Sequence, residues 1–205
     1  MSIMSYSGGS VLAMLGIDCV CIATDLRIGE RMTTIATNVE KVHKLSDKLY
    51  IGLGGFHSDA KTVLDRIIFR KNLYELRENR KIKPEVAATM ISNLLYRQRF
   101  GNYFIEPIVA GLDPVTNKPF ICSMDVIGNI NQAKDFVASG TGSEYLLGIC
   151  EGFWHADMNV DELFEATAQA MLAAMERDAA SGWGVVIYTI TKDKVNMKTI
   201  KARMD

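Results

Sequence analysis

The chain is predicted to be an α+β protein with four layers in the order αββα, two antiparallel sheets lying between helix pairs. Three observations carry that expectation. Short apolar, strand-like runs cluster at the start, middle and end of the 205 residues. Two stretches of helical period separate the first cluster from the second, and two more separate the second from the third. Strands and helices are therefore segregated, which argues against a doubly wound parallel sheet. The strand-like runs also read as buried on both faces. Two sheets packed together, each with a helix pair outside, use every apolar face.

Taken in order, Ser10–Leu15 and 18–24 flank Gly16-Ile17 and read as a hairpin. The stretch 33–37 is rich in β-formers. KLYIGLG at 48–54 is another buried strand, ended by Gly54-Gly55. The period then changes. Between Asp59 and Arg80, the residues Val63, Leu64, Ile67, Ile68, Leu73 and Leu76 form one stripe of an amphipathic helix, with His57 or Ser58 as its cap. Pro84 opens a second helix that runs toward Phe100 on the stripe Val86, Met90, Leu94 and Leu95. Strands at 107–112 and 118–124 flank the turn DPVTNK, and 135–139 is a further strand. A helix follows at 142–153. Asn159 and Glu162 make a capping-box pattern before a helix carrying Leu163, Phe164, Ala168, Met171 and Met175, which is expected to stop near Ser181-Gly182. Strands at 184–191 and Val195–Ile200 close the chain as a hairpin. No linker, tandem repeat or low-complexity tract interrupts residues 1–205, so one domain is expected.

Composition removes several function classes. The net charge is −1 and the pI about 6.3, so no basic excess points to nucleic acid. MSIMSYSGG lacks the basic stretch and long apolar core of a secretory signal, and no run approaches the ~18 apolar residues of a membrane span. A soluble intracellular protein is expected. Cys19 and Cys21 make a single Cys-x-Cys without a second pair, and with Cys122 and Cys150 they read as buried free thiols. His43, His57 and His155 have no partner at metal-ligand spacing, so no metal site is expected. Phosphate-binding loops, dinucleotide fingerprints, the serine-hydrolase elbow and zinc-protease motifs are all missing, and no cofactor is expected.

Five short pieces remain: Gly8-Gly9-Ser10, ATDLR at 23–27, Glu40-Lys41-Val42, SGTGS at 139–143 and RDAASG at 177–182. Each alone has a plain explanation: a turn, a surface ion pair, a solvated lysine, a helix cap, a frayed helix end. Together they are far more specific. With YIGLGG before a long helix and RDAASGWG before the last hairpin, the chain resembles the β-type subunits of the 20S proteasome, which are N-terminal nucleophile hydrolases. The resemblance covers nearly the whole length and implies that family's fold.

In active members, the resemblance implies, the chain is cut after a glycine and the freed threonine attacks the peptide carbonyl, its own α-amino group acting as base. That amine titrates near about 8 and accepts a proton at neutral pH. By resemblance, Asp25 takes the position of the aspartate that orients a buried lysine, Lys41 the lysine position, and Thr141, Asp178 and Ser181 the supporting positions. The nucleophile position falls on Gly9, which has no side chain to attack with. Residues 1–9 are then an unprocessed extension, and Asp25, Lys41 and Asp178 are expected to form a mutually satisfied structural cluster, with the lysine between two carboxylates. Ser10 is the alternative nucleophile, after cleavage behind Gly9. Strand side chains alternate faces, so Ser10 is expected to point away from Lys41.

The resemblance further implies a non-catalytic β subunit in a heteroheptameric ring, with the α ring and the opposite β ring as further partners and polypeptides in the chamber as substrates. It implies a cytoplasmic and nuclear location and a part in ATP- and ubiquitin-dependent protein degradation. Exposed faces at 72–80 and 96–103 and the C-terminal KARMD are expected contact surfaces. Cys122, Ser123 and Asp125 are expected to line the pocket of a neighbouring trypsin-like subunit, where a carboxylate favours basic side chains. A free-standing binding module sharing the fold is a further alternative.

Overall fold

A computed structural model describes residues 2–202. The first strands are β1 (Ser10–Leu15), β2 (Cys19–Asp25), β3 (Ile28–Glu30), β4 (Thr33–Ala36), β5 (Val42–Ser46) and β6 (Leu49–Gly55). Helices α1 (His57–Glu78) and α2 (Pro84–Tyr96) follow. Next come β7 (Ile105–Leu112), β8 (Pro119–Met124), β9 (Ile130–Ala133) and β10 (Phe136–Gly140), then α3 (Ser143–Phe153) and α4 (Val160–Met175). Strands β11 (Val185–Thr191) and β12 (Val195–Ile200) end the fold.

One sheet has the order β10-β1-β2-β11-β12 and the other β5-β6-β7-β8-β9, with β3 and β4 as a separate hairpin. Every pairing is antiparallel. Three apolar clusters fill the three spaces between four layers. Leu49, Ile51 and Leu53 pack with Val63, Ile67, Ile91 and Leu95 of α1 and α2. Leu12, Met14, Cys19 and Cys21 pack with Leu146, Leu163 and Met171 of α3 and α4. Val11, Ala13, Val20 and Ile22 meet Tyr50, Ile108, Ala110 and Ile121 between the sheets. The alternation along β1 explains its unbroken apolar run. Odd-numbered residues face the other sheet and even-numbered ones face the helices, so neither face meets water. The predicted αββα architecture is the observed one.

Several boundaries differ from the sequence reading. α1 is preceded by Phe56, whose side chain makes no cap bond, rather than by a capping His57 or Ser58. α2 ends at Tyr96, because Gln98, Arg99 and Gly101 donate to carbonyls only three residues back, a turn geometry that leaves the α-helix. α4 ends at Met175, about one and a half turns before Ser181. Strands β3, β5 and β9 had no sequence signal, since they are short and half exposed. The capping box at Asn159 and Glu162 is present, with Asn159 Oδ1 accepting from Asp161 and Glu162 N–H at 3.0 Å each. Among the described residues, no helix is long and apolar enough to cross a membrane.

Candidate functional site

Three strand termini converge at one end of the first sheet. β1 starts at Ser10, paired with Gly140 at the end of β10, and β2 ends at Asp25 beside it. This register brings Gly9, Asp25 and Thr141 together although they lie far apart in sequence.

Asp25 is fully buried. Its Oδ1 accepts from Ser10 N–H at 2.8 Å and from Lys41 Nζ at 2.9 Å. Its Oδ2 accepts from Arg27 N–H at 3.1 Å and Gly182 N–H at 3.2 Å. Lys41 is itself 5 % exposed and also donates to the Asp25 backbone carbonyl at 3.0 Å. The carboxylate is saturated with donors and its charge is paired, the condition under which a buried ion pair is tolerated.

Position 9 faces Lys41. Gly9 adopts φ +111°, in the left-handed region, and a Cβ built there would stand 2.3 Å from Lys41 Cε and 3.1 Å from Nζ. Ser10 turns the other way. Its Oγ accepts from Gly142 N–H at 3.1 Å, just before α3. The expectation from strand alternation holds: Ser10 points to the helix side and Lys41 lies toward the opposite sheet.

A second carboxylate gathers the remaining predicted residues. Asp178 Oδ2 accepts from Thr141 Oγ1 at 2.6 Å and Ser181 Oγ at 2.7 Å, and Oδ1 accepts from Ala180 N–H at 3.0 Å. These bonds fold the chain back after α4, the physical reason that helix stops early. Thr141 N–H donates to Gly9 O at 3.0 Å, linking the two carboxylate clusters through the backbone. This corrects the reading of Lys41 as held between two carboxylates. Among the described residues, its ion pair is with Asp25 alone, and hydroxyls satisfy Asp178 instead.

The segment before Gly9 is built into the fold. Tyr6 O accepts from Arg31 N–H at 2.9 Å and Ser7 O from Gly29 N–H at 2.8 Å, so the segment lies along the β3–β4 hairpin. Tyr6 Oη donates to Glu30 Oε1 at 2.7 Å while its ring packs edge-on against Phe56, centroids 5.8 Å apart. Ser7 Oγ accepts from His57 N–H at 3.3 Å. It thus supplies the N-terminal cap that α1 lacks locally. Sequence reasoning missed this contact, since no local pattern can show a cap fifty residues away. Burial lowers the pKa of the neighbouring His57 imidazole, and the Lys41 charge lowers it further.

The predicted pocket residues divide. Asp125 is exposed on the turn between β8 and β9, its Oδ1 accepting from Ile127 N–H at 3.0 Å and Asn129 N–H at 2.8 Å. Ser123 is half-buried. Cys122 is fully buried in the core beneath α1 and α2, and burial pushes its thiol up to about 12. It cannot line a surface pocket, which corrects that expectation. The alternation Phe120, Cys122, Met124 already marked one inward face. Asn129, exposed beside Asp125, was not singled out in the sequence. Among the described residues, no three His, Cys, Asp or Glu side chains are grouped to hold a metal ion.

A sequence model of the family described as "Proteasome subunit" matches residues 5–190. Over all 205 residues and the full length of each relative, the chain is 70% identical to "Proteasome subunit beta type-3" of Caenorhabditis elegans. The identity is 53% to the protein of that name in Drosophila melanogaster and 44% to that in Dictyostelium discoideum. With the two-sheet sandwich and the Asp25–Lys41 pair at its edge, these matches establish that the chain belongs to the proteasome subunit family.

Proposed function

We propose that the chain is a non-catalytic, structural β subunit of the 20S proteasome core particle. One observation carries this reading: the position that faces Lys41 is Gly9, which offers no nucleophile. The buried Ser7-Gly8-Gly9 segment supports it, because cleavage behind Gly9 would remove the cap of α1 and the segment bonded to Gly29 and Arg31. On this reading, residues 1–9 are a retained extension of a single domain. Asp25, Lys41, Thr141, Asp178 and Ser181 hold strand ends and loops together rather than performing chemistry. A hydrolase using Ser10 finds no support, since that hydroxyl is turned to Gly142.

The subunit occupies a heteroheptameric β ring, in contact with the α ring and the opposite β ring, and works in cytoplasm and nucleus. Of the expected contact surfaces, the face at 72–80 and the segment 96–103 carry the exposed Leu76, Tyr96 and Phe100. Residues 203–205 of KARMD lie outside the described residues. Asp125 lines the pocket of a neighbouring trypsin-like subunit, contributing a carboxylate that attracts basic side chains.

The intact mass of the subunit from native particles tests the central claim. A chain starting at Met1 or Ser2 is expected. A chain starting at Ser10 would overturn the reading, and trapping Ser10 with an electrophilic peptide would then be the next step.

A further inference from the structure

The turn that carries Asp125 is neither helix nor strand; its own Ile127 and Asn129 N–H groups hold the carboxylate, and α2 holds the turn. Within the turn, Asp125 O accepts from Gly128 N–H at 3.0 Å, and Asp125 Oδ1 accepts from Asn129 N–H at 2.8 Å. The Asn129 N–H belongs to the peptide unit whose carbonyl is Gly128 O. That carbonyl accepts from Ser92 Oγ of α2 at 2.5 Å. A single planar peptide is therefore gripped from both sides, by Ser92 at its oxygen and by Asp125 at its N–H. Hydrogen bonds in such a chain polarise one another, so donation into the carbonyl strengthens the N–H as a donor to the carboxylate.

The anchor is rigid. Ser92 is flanked on α2 by Ile91, Leu94 and Leu95, all buried in the core beneath the helices. The approach is also close. Gly128 adopts φ +86°, and a Cβ there would stand 2.5 Å from Ser92 O and 3.0 Å from its Cα. Only glycine lets the turn lie this near the helix backbone.

We propose that Ser92 is a positioning residue: through the Gly128–Asn129 peptide it holds Asp125 so that Oδ2, which accepts no bond from the described residues, is presented to the neighbouring pocket. This rests on the reading of Asp125 given above. Ser92 touches no substrate. It sets how well a basic side chain is bound, not the chemistry of cleavage.

The test uses assembled particles whose copy of this subunit carries Ser92→Ala, with Asp125→Asn and Ser92→Thr prepared in parallel. For peptides cleaved after Arg, KM is expected to rise about five-fold in Ser92→Ala, the loss of one neutral hydrogen bond, with kcat nearly unchanged. Ser92→Thr keeps the hydroxyl and should restore the KM. Hydrogen exchange at the Asn129 amide should quicken in Ser92→Ala. An unchanged KM or unchanged exchange in Ser92→Ala, with Asp125→Asn impaired, would overturn the role of Ser92 and leave that of Asp125 standing. Normal cleavage after Arg in Asp125→Asn would overturn both.

Discussion

Asp25 and Asp125 both gather backbone N–H groups, but one has no contact with solvent and the other stands on an exposed turn. Asp25 accepts four bonds, two on each oxygen, and one of its donors is a buried ammonium. Asp125 commits one oxygen to its own turn, and the other accepts no bond from the described residues. The comparison shows how burial sorts residues of one chemical type. A carboxylate with all its acceptor capacity used inside the fold can only hold that fold together. A carboxylate half committed to a turn is oriented and still able to bind.

The largest expected effect lies on the buried side of that comparison. Asp25→Asn leaves Lys41 charged, enclosed and unpaired, and is expected to cost about 3–5 kcal/mol. Recovery of the variant in assembled particles and its melting temperature would show this. Full incorporation with an unchanged melting temperature would break the comparison at its stronger end.

Gly9→Thr comes next. It places a branched side chain at φ +111° and against Lys41, at a cost of about 1–3 kcal/mol. It is expected to create no new peptidase activity, because residues 2–8 still block the amine that a threonine nucleophile needs. New cleavage that is lost on alkylating a freed amine would mean the cluster is catalytically competent and lacks only its nucleophile.

Asp113 is an intermediate case. The Thr116 and Val115 N–H groups, each at 2.8 Å, and Lys83 at 3.1 Å hold its carboxyl down from 3.8 to about 2. Its folded-state pKa lies below the unfolded one. Its stabilisation is therefore full above about pH 4 and is lost as pH falls through about 2, a change of about 2 kcal/mol. Asp113→Asn should flatten the acid limb of a stability–pH curve by that amount. An unaltered limb would remove Asp113 from the series.

The smallest effect on stability belongs to Asp125→Asn, expected within about 0.5 kcal/mol of the parent because the site is exposed. Its effect on cleavage after basic residues should nevertheless be clear. A large loss of stability would make Asp125 a second Asp25 and erase the contrast.

Much of this was legible beforehand, and the reason can be read from particular residues. Val11, Leu12, Ala13 and Met14 announced a strand covered on both faces, and the two cores on either side of it confirm that. The opposite facing of positions 9 and 10 followed from strand alternation alone. The resemblance carried by the five short pieces placed Asp25, Lys41, Thr141, Asp178 and Ser181 in one network, with Lys41 between two carboxylates. Nothing in the sequence announced that the two carboxylates sit in separate clusters, linked by backbone groups: Gly9 O accepts from Thr141 N–H, and Gly182 N–H, next to Ser181, donates to Asp25.

By itself, the sequence determined the type of most elements and the two buried faces of β1, because helix and strand periods are properties of the local backbone; the α1 stripe read from it was too wide, since Val63, Leu64 and Ile67 are buried while Ile68, Leu73 and Leu76 are exposed. It also determined that position 9 carries no side chain. Tertiary structure alone decided the pairings: Ser7 capping α1, hydroxyls rather than Lys41 on Asp178, Ser92 reaching Gly128. Apart from Ser181, only three residues from Asp178, each of these partners is brought in from a distant part of the chain by the packing of strands and helices. A side chain's reach is a few ångströms, so which donor meets which acceptor is set by where the layers come to rest, and no local pattern carries that distance.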